Sequence, residues 1–412
     1  LLTRSHRRSL ILLTFFTYVA LFILALLVII PPRGNTFDFY PRYVGARAIF
    51  AGESPYSRDV TRRIQQGMYG DTLPADADQQ RFAYPAYAGI LLAPFAALPV
   101  RVATAAWMAL QPVALIGSCL IWLDLIGWRF RRIWAAWLLC AAVILIFRYP
   151  FALYLLGQFT GVIALCIALA AWWLARHKPV RAGVAFAVAT IQPTMTAPLA
   201  LLTLGYSALR ERKAWRGLIA FIIALAVLTG ISTLLIGWWI PDFLNGLRDY
   251  SGYATYYVWA PALIESPVLR GLFVAGVMAA VVVSLIHLPE MRAKQASPLR
   301  SNGILPSPRL RARGVGGEGY MPLFTFIPAT LLLIPQTGSY YLILLLPLIL
   351  ASLHNATKLR GGRRLLAWAL SLAVLFAPWL YLLMPESARQ YEALLLPLQA
   401  WATWQITEGM TR

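Results

Sequence analysis

The chain has 412 residues, of which 60% are hydrophobic, 15 are tryptophan and only 13% are charged. Ordinary soluble domains are about half apolar and a quarter charged. So few charges cannot build a water-facing surface for a chain of this length, which excludes a soluble globular protein. The net charge of +20 would suggest nucleic acid in a soluble chain. Here the basic residues sit at the ends of apolar segments, which argues for membrane topology and against a nucleic-acid partner.

Residues 10–30 carry no charge and are long enough to cross about 30 Å of hydrocarbon as a helix. The preceding "RSHRR" resembles the start of a signal peptide. The apolar run is too long for one and lacks a small-residue cleavage site, so a retained first helix is expected. A polar stretch, 31–84, follows and opens with "TFDFYPRYVGARAIFAGESPY" (36–56). Pro41 suits the first turn of a helix and Gly52 the position after its end, which predicts a short helix over 41–51. Arg42, Tyr43, Arg47 and Phe50 fall on its polar and amphipathic positions. Asp38 lies just ahead of its N-terminus, where the helix dipole favours negative charge.

Apolar segments follow at 86–98, 100–123, 133–147, 158–175, 182–207, 217–240, 268–288, 321–334, 340–353 and 365–384. The first would reach only about 20 Å as a helix, too little to cross unaided. The segment 182–207 is flanked by basic clusters and broken at "IQPT" (191–194), so a helical hairpin is expected there. Non-helical backbone at membrane depth is tolerated only inside protein or beside a water-filled cavity, which singles out Gln192 and Pro193. The stretch 289–319, rich in Pro, Gly, Ser and Arg, is read as a disordered basic linker. It separates a membrane module of 1–288 from C-terminal helices of 320–412, whose last stretch (388–405) is weakly amphipathic and suits the membrane interface. No transporter-like internal repeat is evident. The fold expected is all-α, a polytopic membrane bundle of about 10–12 transmembrane or re-entrant helices with a long first outer loop.

Six basic clusters mark cytoplasmic ends: Arg4 to Arg8, Arg129 to Arg132, Arg176 to Arg181, "RERKAWR" (210–216), Arg292 to Arg313 and "KLRGGRR" (358–364). The acids Asp38, Glu53, Asp59, Asp71, Asp76 and Asp78 gather in the first loop, and Asp242, Asp249 and Glu265 around a later one. This places the N-terminus in the cytoplasm and the loop 31–84 outside. The three cysteines lie in apolar runs with neither metal-ligand spacing nor a disulfide framework. All four histidines fall in or beside basic clusters. Acid–base work on the outer face therefore needs a carboxylate. Asp38, beside Arg42 and Arg47, suits a base for a hydroxyl group, and the arginines suit a lipid phosphate. A helix cap for Asp38 and a solvated face for the arginines stay open on these residues alone. Further outer stretches are "RFAYPAYAGILLAPFAALP" (81–99), "RYPFALYLLGQFTG" (148–161) with Gln158, and "LIPQTGSYYL" (333–342) with Gln336, Ser339 and Tyr340. Polar contact between helices is the plainer role for Gln158, Gln192 and Gln336.

The order of these stretches resembles the polyprenyl-phosphate-dependent membrane glycosyltransferases of the GT-C superfamily, and above all glycosyltransferase family 87, the α-mannosyltransferase-like group. The likeness lies in "DFYPRYVGARAIFAGESPY", "FAYPAYAGILLAPFAALP", "LGQFTG", "IQPT" and "LLIPQTGSYYLILLLPLIL", over about residues 10–350. It implies transfer of a hexose, mannose in the first place, from a polyprenyl-phosphate sugar to a glycan or glycolipid acceptor at the outer face of the cell membrane. Asp38 matches the family's first-loop base. Arg42, Arg47, Arg81, Tyr84, Gln158, Gln192, Gln336 and Tyr340 fall at positions that would hold the donor's phosphate or sugar. The resemblance implies no cofactor and no metal; membrane lipids are the remaining partner. Three positions depart from the family pattern. Gln192 stands where Lys is common, Tyr84-Pro85-Ala86 replaces Tyr-Pro-Pro, and Gly338 to Tyr341 replaces a Trp-Asp-His-like element. Phosphate binding would then shift to Arg42, Arg47, Arg81 or Arg148. A transporter of lipid-linked sugars, or a silent lipid-binding relative, is the alternative; the polar motifs' confinement to one face favours the enzyme.

Overall fold

A computed structural model describes residues 4–31, 35, 37–74, 77–253, 260–296, 321–334 and 339–411. Among the described residues the ordered elements are helices, with no strand. The chain divides into two units: residues 1–117, 130–165 and 223–257 in one, residues 118–129, 166–222 and 258–412 in the other.

Among the described residues, six helices are long and apolar enough to cross a membrane: Arg8–Ile29, Val100–Leu125, Trp215–Ile236, Pro267–Ile286, Tyr340–Lys358 and Gly361–Tyr381. Their environments differ. The most apolar stretch of Tyr340–Lys358 is 83% buried, whereas those of Arg8–Ile29 and Pro267–Ile286 are 6% buried. Ile11, Phe15, Phe16, Leu27 and Val28 stand exposed on the first helix. Apolar surface left open on this scale requires a hydrocarbon solvent. The protein is an all-α, multi-pass membrane protein.

In the first unit, the N-terminal helix Arg4–Leu24 ends in a wider π-helical turn, Ala25–Ile29. Arg101 Nη2 donates to the Leu26 carbonyl at 2.7 Å, and the Tyr154 hydroxyl donates to that of Leu21 at 2.8 Å. The expected short segment at 86–98 is two small helices, Tyr87–Leu91 and Ala93–Ala96. The helix Ile133–Ile146 breaks at 147–148 and continues as Tyr149–Leu156 at an angle of 84°. Pro150 stands in the first turn of the second piece, where a proline costs no hydrogen bond. Gln111 is buried, and its Oε1 accepts from the Val162 amide at 3.3 Å, in the first turn of Thr160–Leu174. The two backbones meet closely: a Cβ on Gly161 would lie 2.5 Å from the Gln111 carbonyl oxygen. Gly161→Ala is expected to cost about 1–3 kcal/mol by forcing the helices apart, to be read from the unfolding midpoint of the solubilised protein.

In the second unit, the expected hairpin is present as Pro179–Ala189 and Pro193–Arg210, interrupted at 190–192. The helix Leu323–Leu333 is buried along nearly its whole length, with Phe324 against Trp122 (5.5 Å) and Trp404 (5.2 Å). The tail expected to lie in the interface is the helix Glu392–Met410. It is packed rather than loose, because Leu396, Ala400, Trp404 and Thr407 form one face and are buried. Residues 289–296 of the expected linker belong to the helix Pro267–Ala296; the rest of that stretch lies outside the described residues.

Candidate active site

The first-loop helix runs from Phe39 to Phe50 and ends at Gly52, whose φ of +75° is open to glycine. Phe39, Pro41, Arg42, Tyr43, Gly45, Ala46, Ala48 and Ile49 are buried. Arg42 was expected on the helix's polar side, yet it is 2% exposed. Its Nη1 donates to the Gly157 carbonyl at 2.9 Å and its Nη2 to Gln158 Oε1 at 2.5 Å. Nη2 also bonds the Tyr84 hydroxyl. The rings of Tyr84 and Phe159 lie 4.9 and 5.2 Å from the guanidinium carbon, close enough for cation–π attraction.

Gly157 makes this arrangement possible. It ends the helix Tyr149–Leu156 in the left-handed conformation (φ +66°) and turns its carbonyl inward, where Trp107 Nε1 also donates to it at 2.8 Å. A Cβ there would lie 3.2 Å from Phe39 Cβ. Gly157→Ala is expected to cost about 1–2 kcal/mol, with a lowered unfolding midpoint as the readout.

Asp38 is half-buried and lies at the start of the first-loop helix. Its side chain makes no capping hydrogen bond to that helix, so capping does not account for the residue. Instead Gln158 Nε2 donates to Asp38 Oδ2 at 2.7 Å. The other oxygen has no hydrogen-bond partner among the described residues. The result is a relay of three side chains, with guanidinium, amide and carboxylate in sequence. Tyr69, at the end of the helix Arg58–Tyr69, lies near enough to feel Asp38. Burial first, then the charges of Asp78 and Asp38, push its hydroxyl above the ordinary tyrosine range.

The non-helical stretch carrying Tyr84 is anchored from both ends. The Tyr56 hydroxyl donates to the Tyr84 carbonyl at 2.6 Å, and Tyr56 packs on Phe82, Trp239 and Phe243. Burial, with Tyr87 and Asp242 nearby, pushes the Tyr56 hydroxyl far up, so it stays a neutral donor. Arg81 pairs with Asp249 at 2.7 Å.

Four of the residues singled out by sequence therefore meet: Asp38, Arg42, Tyr84 and Gln158. Arg47 is exposed and bonded to the Tyr43 hydroxyl at 3.0 Å, apart from that group. Arg148 is half-buried over the ring of Tyr149. In the second unit, Gln192 is buried at the helix break, and its Oε1 has no partner among the described residues. Tyr340 is half-buried in the 3₁₀ turn Ser339–Leu345, its ring 4.9 Å from that of Tyr341. Gln336 lies outside the described residues. Sequence reasoning missed Gly157, Phe159 and Trp107. In the "GQF" triplet only the glutamine carries a polar side chain that marks it as a candidate, and Trp107 is one aromatic in an apolar helix with nothing to mark it.

The family model of glycosyltransferase family 87 matches residues 82–301, more than half of the chain. The chain belongs to glycosyltransferase family 87. It is accordingly a membrane glycosyltransferase. No curated protein and no solved structure matches it. The family-87 match is narrower than the likeness read over residues 10–350. Tyr84, Gln158 and Gln192 fall within it, whereas Asp38 and Arg42 precede it and Tyr340 follows it. The first-loop helix is tied to the matched region through Gln158 and Tyr84.

Proposed function

We propose that this glycosyltransferase moves a hexose, mannose in the first place, from a polyprenyl-phosphate sugar to a hydroxyl of a glycan or glycolipid. The reaction takes place at the extracytoplasmic face of the cell membrane, with Asp38 as general base. One observation carries this reading. The Asp38 carboxylate is held through one oxygen by Gln158 while the other is left without a partner among the described residues. A base needs this arrangement, with fixed direction and a vacant acceptor. The vacant oxygen takes the proton of the acceptor hydroxyl as that hydroxyl's oxygen bonds to the anomeric carbon. The bond from that carbon to the phosphate oxygen breaks, and its electron pair leaves with the polyprenyl phosphate.

The leaving phosphate gains negative charge and requires cations or hydrogen-bond donors. Within the first unit, Arg47, Arg81 and Tyr84 are the residues proposed for the donor side; for Gln192, Gln336 and Tyr340 the same role is proposed from the family resemblance alone. The clustering of acids in the first loop, against basic residues at the opposite helix ends, supports an outer site. The same charge pattern supports a basic cytoplasmic linker within 289–319, between the membrane module 1–288 and the helices of 320–412.

The donor assignment is tested with the purified full chain in nanodiscs, offered polyprenyl-phosphate mannose or the nucleotide sugar GDP-mannose, with an alkyl mannoside as acceptor. Transfer is expected from the lipid donor alone. Transfer from the nucleotide sugar without lipid would overturn the donor class.

A further inference from the structure

Arg42 and Gln158 were both candidates for the donor phosphate, and their surroundings point elsewhere. A guanidinium that binds an anion keeps N–H groups directed at space the anion can reach. That of Arg42 is 2% exposed and is bonded to the Gly157 carbonyl, Gln158 Oε1 and the Tyr84 hydroxyl. The rings of Tyr84 and Phe159 lie over it. A phosphate would have to displace these groups, and each displaced polar atom left buried would cost on the order of 1–3 kcal/mol.

The Gln158 amide has only one workable orientation. With Oε1 toward the guanidinium and Nε2 toward Asp38, both contacts are attractive. Reversed, N–H groups would face N–H groups and an oxygen would face the carboxylate. The guanidinium thus fixes the amide, and the amide fixes the carboxylate. Polarisation of the amide by a full charge on its oxygen side also strengthens its donation on the nitrogen side.

We infer that Arg42 and Gln158 are positioning residues: the buried guanidinium locks the Gln158 amide, and that amide aims the vacant oxygen of Asp38 at the acceptor hydroxyl. This rests on the reading of Asp38 as base. Neither residue binds the donor phosphate.

Gln158→Glu separates the two roles. It keeps the side chain's size and still offers Arg42 an acceptor, so the fold is held, while Asp38 loses its donor and meets a like charge. Two measurements on the solubilised full chain decide the matter. The first is equilibrium binding of polyprenyl monophosphate, which needs no turnover. Affinity is expected within about twofold of wild type; a loss of tenfold or more would return Gln158 to the phosphate site and overturn the inference. The second is mannose transfer from polyprenyl-phosphate mannose by wild type, Asp38→Asn, Gln158→Glu and the double variant. Gln158→Glu is expected to lower kcat about 10- to 100-fold with the donor KM unchanged. In the Asp38→Asn background it is expected to cause no further loss, because a residue that acts through Asp38 has nothing left to aim. A raised donor KM with kcat retained, or an equal loss in both backgrounds, would overturn it. Full activity of Asp38→Asn would instead remove the base itself, a distinct failure.

Discussion

Asp38→Asn is expected to lower sugar transfer about 10²- to 10⁴-fold, the usual contribution of a positioned general base. The substitution is nearly isosteric and keeps an oxygen for the Gln158 amide, which donates to Asp38 at 2.7 Å. The fold should therefore be unchanged, with an unfolding midpoint close to wild type. Donor affinity should also hold, because the carboxylate does not touch the phosphate in this account. The loss should appear in kcat, measured at saturating polyprenyl-phosphate mannose. Asp38→Glu provides the graded control. It retains a carboxylate but moves it by about one methylene, and misplacement on the order of 1 Å is enough to cost about a hundredfold. Equal rates in all three proteins would remove Asp38 from the chemistry.

The second large effect is expected in stability. Arg42→Met removes the guanidinium that bonds the Gly157 carbonyl, Gln158 and Tyr84. Trp107 would still satisfy Gly157, but Gln158 Oε1 would be left buried and unpaired. Charge-assisted hydrogen bonds contribute about 1.5–3 kcal/mol each, and relief from holding a buried charge offsets part of that. A net loss of about 2–4 kcal/mol is expected. Arg42→Lys should fall between the two, since a single ammonium on a longer stem cannot reach three acceptors in the fork geometry of arginine. Denaturant midpoints of the solubilised proteins check the order. A change below about 0.5 kcal/mol in Arg42→Met, the range of ordinary surface substitutions, would show that the relay does not hold the first loop.

Some of this site was legible in the sequence, and the limit has a physical origin. Pro41 and Gly52 bracket the first-loop helix because backbone rules act locally; the observed span, Phe39–Phe50, differs from the expected one by a turn's fraction. The break at "IQPT" was legible for the same reason, since Pro193 opens the next helix. Asp38, Tyr84 and Gln158 could be named from the order of short motifs. The burial of Arg42 could not. Its acceptors at Gly157 and Gln158 are 115 and 116 positions away, and on a helix of mixed polarity an arginine reads as solvated. The 84° bend that brings Gly157 round carries only a proline as its local sign.

Membrane physics hides a second distinction. A helix apolar all round suits lipid and protein interior equally. Arg8–Ile29 and Tyr340–Lys358 are both long apolar runs, yet one is almost wholly unburied and the other almost wholly enclosed. Sequence patterning gave the number of segments its approximate range and the first loop its place among them. Which helices face lipid is decided by partners far along the chain.

The central claim is that Asp38 receives the acceptor's proton on the oxygen that Gln158 leaves open. The most direct measurement is a structure of the full chain in nanodiscs with polyprenyl-phosphate mannose and an alkyl mannoside acceptor, using Asp38→Asn to hold the complex before transfer. The account predicts the acceptor hydroxyl within about 2.6–3.2 Å of the side chain at position 38, with Gln158 still bonded to that side chain and to Arg42. An acceptor hydroxyl bound away from position 38, or a donor phosphate seated on Arg42, would contradict it.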